Sequence, residues 1–317
     1  MCASAMKVQN LSTGLGLSIV IPTRNRYPAL VEALKSIKAQ TIQPQEVIVV
    51  DQTPRKDGQP ESLLKILSPQ VHLDYLWNPA ISGLTQARNA AIERAHGDIL
   101  LFLDDDVTLH RDFTEKLLAS WSVHPEAVGI SGVPDNYSRP PSFYYLWSKV
   151  FMLGPFHDDR QPVYWRAKNL IDLVQVTRFS GGMMSLRKST LHGLRFDESL
   201  RGVADGEDVD FCVRLKGIFY MNPRCQLTHH FNSSQREKTH WTQRHARANT
   251  YLYQRNWSQH KIAYAWLRAG YFVAALLGCV SRRSIDPMCA MLAGCSEGKQ
   301  AAARPGKETA FSTARVG

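Results

Sequence analysis

Three consecutive carboxylates, Asp104, Asp105 and Asp106, end an apolar run that starts after Gly97 in GDILLFLDDD. Like charges at this spacing repel and raise one another's pKa unless water or a cation bridges them, and hard divalent ions such as Mg2+ or Mn2+ take oxygen ligands of this kind. Taken alone, a metal clamp and a solvated acidic turn fit the triplet equally. Further along, Gly206-Glu207-Asp208 precedes Phe211 and Leu215 at helical spacing, which puts two carboxylates at a helix N-terminus. Glu207 suits a capping role there, and an ionised Asp208 is left to act as a general base. His229 and His230 add two imidazoles, although in a chain with eleven histidines a surface or core position is the ordinary reading of such a pair.

The elements around these residues must bring them together. Ile99 to Leu103 reads as a strand buried on both faces, as do Leu17 to Ile21 and Val47 to Val50. The first ends in Thr23-Arg24-Asn25 and the second in Asp51, so polar residues collect where strands of an open α/β sheet bind ligands. Leu30, Ala33, Leu34 and Ile37 share one face of a helix behind Pro28; Leu84, Ala87, Ala91 and Ala95 mark another, and Leu63 to Leu67 a short one. Strand alternating with helix predicts a parallel sheet covered on both faces, with right-handed crossovers. Further strands are expected near Val71 to Trp77, Ala127 to Val133 and Val174 to Arg178. Residues 134–173 read as a long irregular segment rich in Tyr, Phe and Trp, equally suited to a satellite core and to an acceptor face. The Gly181-Gly182 pair permits close backbone approach.

With 317 residues, 44% hydrophobic and 21% charged, the chain is an ordinary globular protein with room for a sizeable core. Its net charge of +10 calls for an anionic partner. Residues 236–283 hold nine Lys or Arg against one acidic residue, interleaved with Trp and Tyr, a pattern that fits an anionic membrane surface. Ile262 to Val280 is about long enough to span a bilayer, but Arg268 in its middle favours a helix lying on the cytoplasmic leaflet; a helical cap on the catalytic domain is the alternative. No nucleic-acid module is recognisable, and nucleic acid is not expected as the partner. Cys2, Cys212, Cys225, Cys279, Cys289 and Cys295 form no CxxC pair, and no secretory signal precedes the first strand, which predicts reduced thiols in a cytoplasmic setting.

From Leu17 to about Ser234 the chain resembles a family 2 glycosyltransferase of the bacterial surface-polysaccharide type. The matching pieces, in order, are Ile-Pro-Thr-Arg-Asn-Arg (21–26), Val-Val-Asp (49–51), Gly83-Leu84 with Ala87-Arg88-Asn89, Leu-Asp-Asp-Asp (103–106), Gly-Gly-Met-Met-Ser-Leu-Arg-Lys (181–188), Gly-Glu-Asp (206–208) and His229-His230. The resemblance implies the GT-A fold, a Rossmann-like α/β architecture with a mostly parallel central sheet, followed here by a helical region. It implies that Pro22, Thr23, Asn25, Asp51, Arg88, Asp104 and Asp105 serve the donor nucleotide, with Asp51 at the nucleobase edge, Arg88 facing base or diphosphate and Asp104 at the ribose. Asp106 with His229 or His230, His229 favoured, would hold Mg2+ or Mn2+. Asp208 would be the base, and Gly181, Gly182 and Glu207 would lie by the acceptor or donor sugar. Asp51-Gln52-Thr53 departs from the family's usual second-strand motif, and Arg24 stands where an aromatic residue is frequent.

The expected organisation is a loose leader at 1–16, a catalytic domain at 17–235 (nucleotide-sugar half 17–133, acceptor half 134–235), a basic aromatic helical region at 236–295 and a disordered tail at 296–317. The expected activity is inverting, metal-dependent transfer from a UDP- or dTDP-type nucleotide sugar to a glycan or lipid-linked hydroxyl, on the inner face of the cell membrane, in polysaccharide biosynthesis. The alternative is a catalytically inactive sugar-nucleotide-binding module at a membrane, for which an intact Asp104, Asp106 and Asp208 set would be superfluous.

Overall fold

The computed structural model describes residues 14–54, 63, 65–200, 205–230 and 241–304. Its sheet begins with four parallel strands: β1 (Leu17–Thr23), β2 (Glu46–Asp51), β3 (His72–Trp77) and β4 (Ile99–Leu103), in the spatial order β3-β2-β1-β4. Every residue of β1, β2 and β4 is buried, which explains their unbroken runs of Val, Ile and Leu. Helices α1 (Tyr27–Lys38) and α2 (Leu84–Arg94) make the crossovers, and α1 buries Leu30, Ala33, Leu34 and Ile37 as its spacing predicts. The register aligns Thr23 with Asp51 and Asp51 with Trp77, so the polar strand ends do share one edge. The short helix expected at Leu63 to Leu67 falls partly outside the described residues.

Beyond β4 the sheet is mixed. It continues through β5 (Val107–Leu109), β6 (Ala127–Pro134, after helix α3, Phe113–Val123), β7 (Val174–Val176), β8 (Met183–Arg187) and β9 (Ile218–His229). Strand β8 inserts antiparallel between β4 and β6, with Leu103 opposite Met183, and β9 runs antiparallel to β5, with Val107 opposite His229. These two reversals bring Gly181-Gly182 and His229 back to the end of β4, where the aspartates emerge.

The segment expected to be irregular is largely helical: α4 (Ser142–Phe151), α5 (Arg160–Arg166) and two single 3-10 turns. Its apolar residues face two ways, since Trp147 and Phe156 enter a second core while Phe143 and Leu146 stay exposed, and this obscures any single apolar stripe. Helix α6 (Glu207–Leu215) precedes β9; after it come α7 (Trp241–Asn256), α8 (Lys261–Arg282) and α9 (Asp286–Ala303). The second core joins Trp147 and Phe156 to Tyr251, Trp257, Leu267, Tyr271 and Met291.

Two expectations about the C-terminal third need correction. The helical region does not stop at residue 295 with disorder from Ser296: α9 continues to Ala303, because Gly294, Gly298 and Ala301 are small enough to lie buried on α7. Residues 305–317, like 1–13 of the expected leader, lie outside the described residues. The positive charge is also less available than its sequence density implies. Arg244 and Arg247 both bind Asp205, and Arg255 binds Asp197 at 2.7 Å, so three of the arginines dock α7 on the chain between β8 and α6. Lys261, Arg268, Arg282 and Arg283 remain exposed.

Candidate active site

Among the described residues, Asp104, Asp106 and His229 offer ligand atoms that all lie within 4.8 Å of one another. Asp106 Oδ1 is 3.1 Å from His229 Nε2, and the ladder between β5 and β9 holds the histidine there. Two carboxylate oxygens and an imidazole nitrogen suit Mn2+ or Mg2+, so the residues present fit the ion that the family resemblance implies. His230 is not part of this group: its ring pairs with Thr108 Oγ1 at 2.8 Å, and only its backbone N–H reaches the Asp106 carbonyl.

Asp105 turns the other way. It is 4% exposed, accepts a hydrogen bond from Thr23 Oγ1 at 2.7 Å and pairs with Arg26 at 2.8 Å, so it braces the end of β1. Burial, with Asp106 and Asp104 beside it, pushes its carboxyl up to about 6. Burial acts on Asp106 in the same direction, but hydrogen bonds from His229 and Arg26 outweigh it and hold this carboxyl well below the usual range.

Asp208 sits in the first turn of α6, where the helix N-terminus favours an anion. Its Oδ2 accepts from the Gly181 N–H at 3.1 Å and lies 3.5 Å from the Arg160 guanidinium. Glu207 does not cap the helix as expected; it turns inward and binds Arg88 Nη1 at 2.8 Å. Burial and the neighbouring Asp208 charge push Glu207 up to about 8, against the pull of Arg88. Arg88, expected to face base or diphosphate, is 1% exposed: it is held by Glu207, by Asp104 at 3.6 Å and by the face of Phe196. The two glycines make this possible. A Cβ on Gly181 would lie 2.6 Å from the Arg88 guanidinium, and one on Gly182 would collide with the Asp104 carboxylate. The pair therefore packs between Asp104 and the buried Arg88 and gives its Gly181 N–H to Asp208.

At the end of β2, Asp51 is fully buried and accepts from the Tyr27 and Tyr75 hydroxyls and from the Thr53 N–H. These hydroxyls hold the carboxylate expected at a nucleobase edge. The residues after it stitch the strand ends together: Gln52 accepts from the Gly83 N–H, Thr53 Oγ1 from the Asn25 N–H, and the Thr53 carbonyl from Trp77 Nε1. Asn25 is exposed in the left-handed region (φ 57°), whereas Pro22 and Thr23 are buried.

On the other side of Asp208, Arg160 forms a two-pronged pair with Asp158 at 2.9 and 3.0 Å. Burial would raise Asp158, but the Arg160 charge brings it down to about 2. Asp158 also lines a pocket with Tyr144, Tyr145, Gln161 and Trp165. Arg26, Asp158, Arg160, Tyr27 and Tyr75 were not singled out from sequence. Only Arg26 carried a signal there, as the second basic residue of Arg24-Asn25-Arg26 close to three unneutralised carboxylates.

The family model for glycosyl transferase family 2 matches residues 18–194. The succinoglycan biosynthesis protein ExoM of Rhizobium meliloti is 29% identical over 192 residues, which cover 59% of this chain and 57% of that one. The chain spans about half the length of the curated relatives it matches. Among solved structures, Staphylococcus aureus TarS 1–349 with UDP-GlcNAc superposes with a TM-score of 0.58 at 16% identity, covering 91% of this chain and 82% of that one. The mannosyltransferase PcManGT of Pyrobaculum calidifontis with GDP-Man and Mn2+ gives 0.54 at 17% identity, covering 90% and 87%. At these identities the likeness shows the GT-A fold.

Proposed function

The chain belongs to glycosyltransferase family 2, and on that premise we propose that it is an inverting, metal-dependent glycosyltransferase moving a sugar from a nucleotide-sugar donor to a hydroxyl of a glycan or lipid-linked acceptor. The observation that carries this reading is the Gly181-Gly182 turn, which packs on Arg88 through Gly181 and on Asp104 of the metal group through Gly182, and donates its Gly181 N–H to Asp208. A pure binding module has no need of a partly exposed carboxylate held in that place.

Asp104, Asp106 and His229 would hold the Mg2+ or Mn2+, which when bound supplies positive charge for the departing diphosphate. Asp208 takes the proton of the acceptor hydroxyl, with the Gly181 N–H and Arg160 orienting its carboxylate toward the task. Arg88 and Glu207 are positioning residues, buried too deeply to touch substrate. Attack from the side of Asp208, opposite the leaving diphosphate, inverts the anomeric centre. The pocket lined by Tyr144, Tyr145 and Trp165 abuts the Asp158–Arg160 pair that braces Asp208, and suits the acceptor. The exposed Asn25 end of β1 suits the donor's nucleoside.

UDP or dTDP is the favoured nucleotide, in line with the UDP-GlcNAc bound by TarS, and a role in cell-surface polysaccharide synthesis agrees with the name of ExoM. Attachment to the inner face of the membrane is supported by an outward apolar stripe on α8, formed by Ile262, Trp266, Phe272, Val273, Leu276, Leu277 and Val280, with Lys261, Arg282 and Arg283 at its ends. Helix α8 is also long and apolar enough to cross a membrane. A panel of UDP-, dTDP- and GDP-sugars, scored for Mn2+-dependent hydrolysis and for thermal shift, tests the donor class. Stabilisation and slow hydrolysis with one nucleotide family are expected; no response to any nucleotide sugar with metal present would refute the proposal.

A further inference from the structure

One cation beside the metal ligands has no place in the mechanism above. Arg26 Nη1 lies 2.8 Å from Asp105 Oδ1, and Nη2 lies 2.7 Å from Asp106 Oδ2. The other Asp106 oxygen faces His229, so both oxygens of this candidate ligand are engaged. We propose that Arg26 is a tethered substitute cation: it neutralises Asp105 and Asp106 when no divalent ion is bound, and it must give up Asp106 when the ion enters and then transfers to the donor's diphosphate. This rests on the metal-site reading and adds to it a coupling between metal and donor.

Three adjacent carboxylates cannot stay ionised and close together without a counter-charge. Arg26 supplies it from the sequence-distant end of β1. A divalent ion at Asp104, Asp106 and His229 competes for the same Asp106 lone pairs and repels the guanidinium. The anchoring of Arg26 lets it respond. Its backbone is fixed between Asn25 in the left-handed region and the first turn of α1, while its side chain is 28% exposed and can swing toward solvent. A planar guanidinium that leaves a carboxylate pair is matched in geometry by the paired oxygens of a diphosphate. Metal alone therefore pays the displacement, whereas metal together with a nucleoside diphosphate gives Arg26 a new partner.

Mn2+ binding, followed by electron paramagnetic resonance or calorimetry on the full chain with and without UDP, tests this. Without nucleotide, R26A should bind Mn2+ on the order of 10-fold more tightly than wild type, and R26K, which keeps the charge but loses the fork, should fall between. UDP should strengthen Mn2+ binding by a larger factor in wild type than in R26A, an effect that mere removal of a charge does not produce. Equal Mn2+ affinity in wild type and R26A, or an unchanged UDP enhancement in R26A, would overturn the role of Arg26. D106A separates the two readings. Loss of Mn2+ binding in D106A with no change in R26A sinks the Arg26 proposal alone; Mn2+ binding that survives D106A sinks the metal site and the proposal together.

Discussion

Aspartates meet arginines in two regions of this protein, and the balance differs. Where α7 docks, Asp205 holds two arginines, and Asp197 holds Arg255 and the Tyr251 hydroxyl; burial opposes ionisation there, but these partners keep both carboxyls below their ordinary range. At the sheet edge, Asp104, Asp105, Asp106, Glu207 and Asp208 share Arg26, Arg88 and Arg160, and burial pushes Asp105 up to about 6 and Glu207 up to about 8. A docking contact neutralises its charges. The sheet edge keeps more carboxylates than arginines, and there burial raises Asp105 and Glu207 while Asp106, bound by His229 and Arg26, is held low.

The sharpest way to break the contrast is D208N. Transfer should fall by about 10³-fold or more, while Mn2+ and donor affinities stay within about twofold, as measured by initial rates and calorimetry. Normal turnover would remove Asp208 from the mechanism. At the docking region, D205A should instead lower unfolding stability by about 2 kcal/mol, several degrees in Tm, and leave the transfer rate per folded molecule near wild type. A selective loss of transfer there would mean that the cap shapes the site.

Glu207 at the sheet edge and the docking aspartates should also answer pH with opposite sign. Glu207 has a folded pKa above its unfolded value of 4.5, so its contribution is complete below that value and is lost as pH rises through about 8. Asp205 and Asp197 have folded pKa values below 3.8, so theirs is present above 3.8 and is lost as pH falls. In thermal melts without divalent ions, E207Q should flatten the decline on the alkaline side, and D205A the decline on the acid side. The smallest effect is expected outside both. Replacing Leu276 and Leu277, each 49% exposed, by Glu should shift stability by no more than about 0.5 kcal/mol per site. The same change should cut co-sedimentation with anionic vesicles severalfold; undiminished binding would remove α8 as the membrane face.

Much of the parallel half of the sheet was legible before any fold was known. The strands of β1, β2 and β4 are written as continuous apolar runs, α1 as a period of three to four, and the end of β4 as three aspartates; all of these are local patterns. The aromatic segment was not legible, because residues of α4 serve two environments and their spacing averages out. The continuation of α9 past Ser296 was missed for a related reason: small residues that resemble a flexible tail are what close packing on α7 requires.

The sequence by itself determined which chemistry was available: carboxylates at strand and helix ends, imidazoles late in the chain, and a pair of glycines between them. Only the tertiary structure decided which of these work together. Thr23 lies 82 residues from Asp105, and Arg88 lies 119 from Glu207. The parallel pairing of β1 with β4 makes the first pair neighbours, and the antiparallel insertion of β8 and the return of β9 bring Gly181-Gly182 and His229 to the same edge. Whether an acid at a strand end becomes a ligand, a brace or a base depends on which charge stands opposite it, and strand pairing across the sheet sets that, beyond the reach of any local pattern.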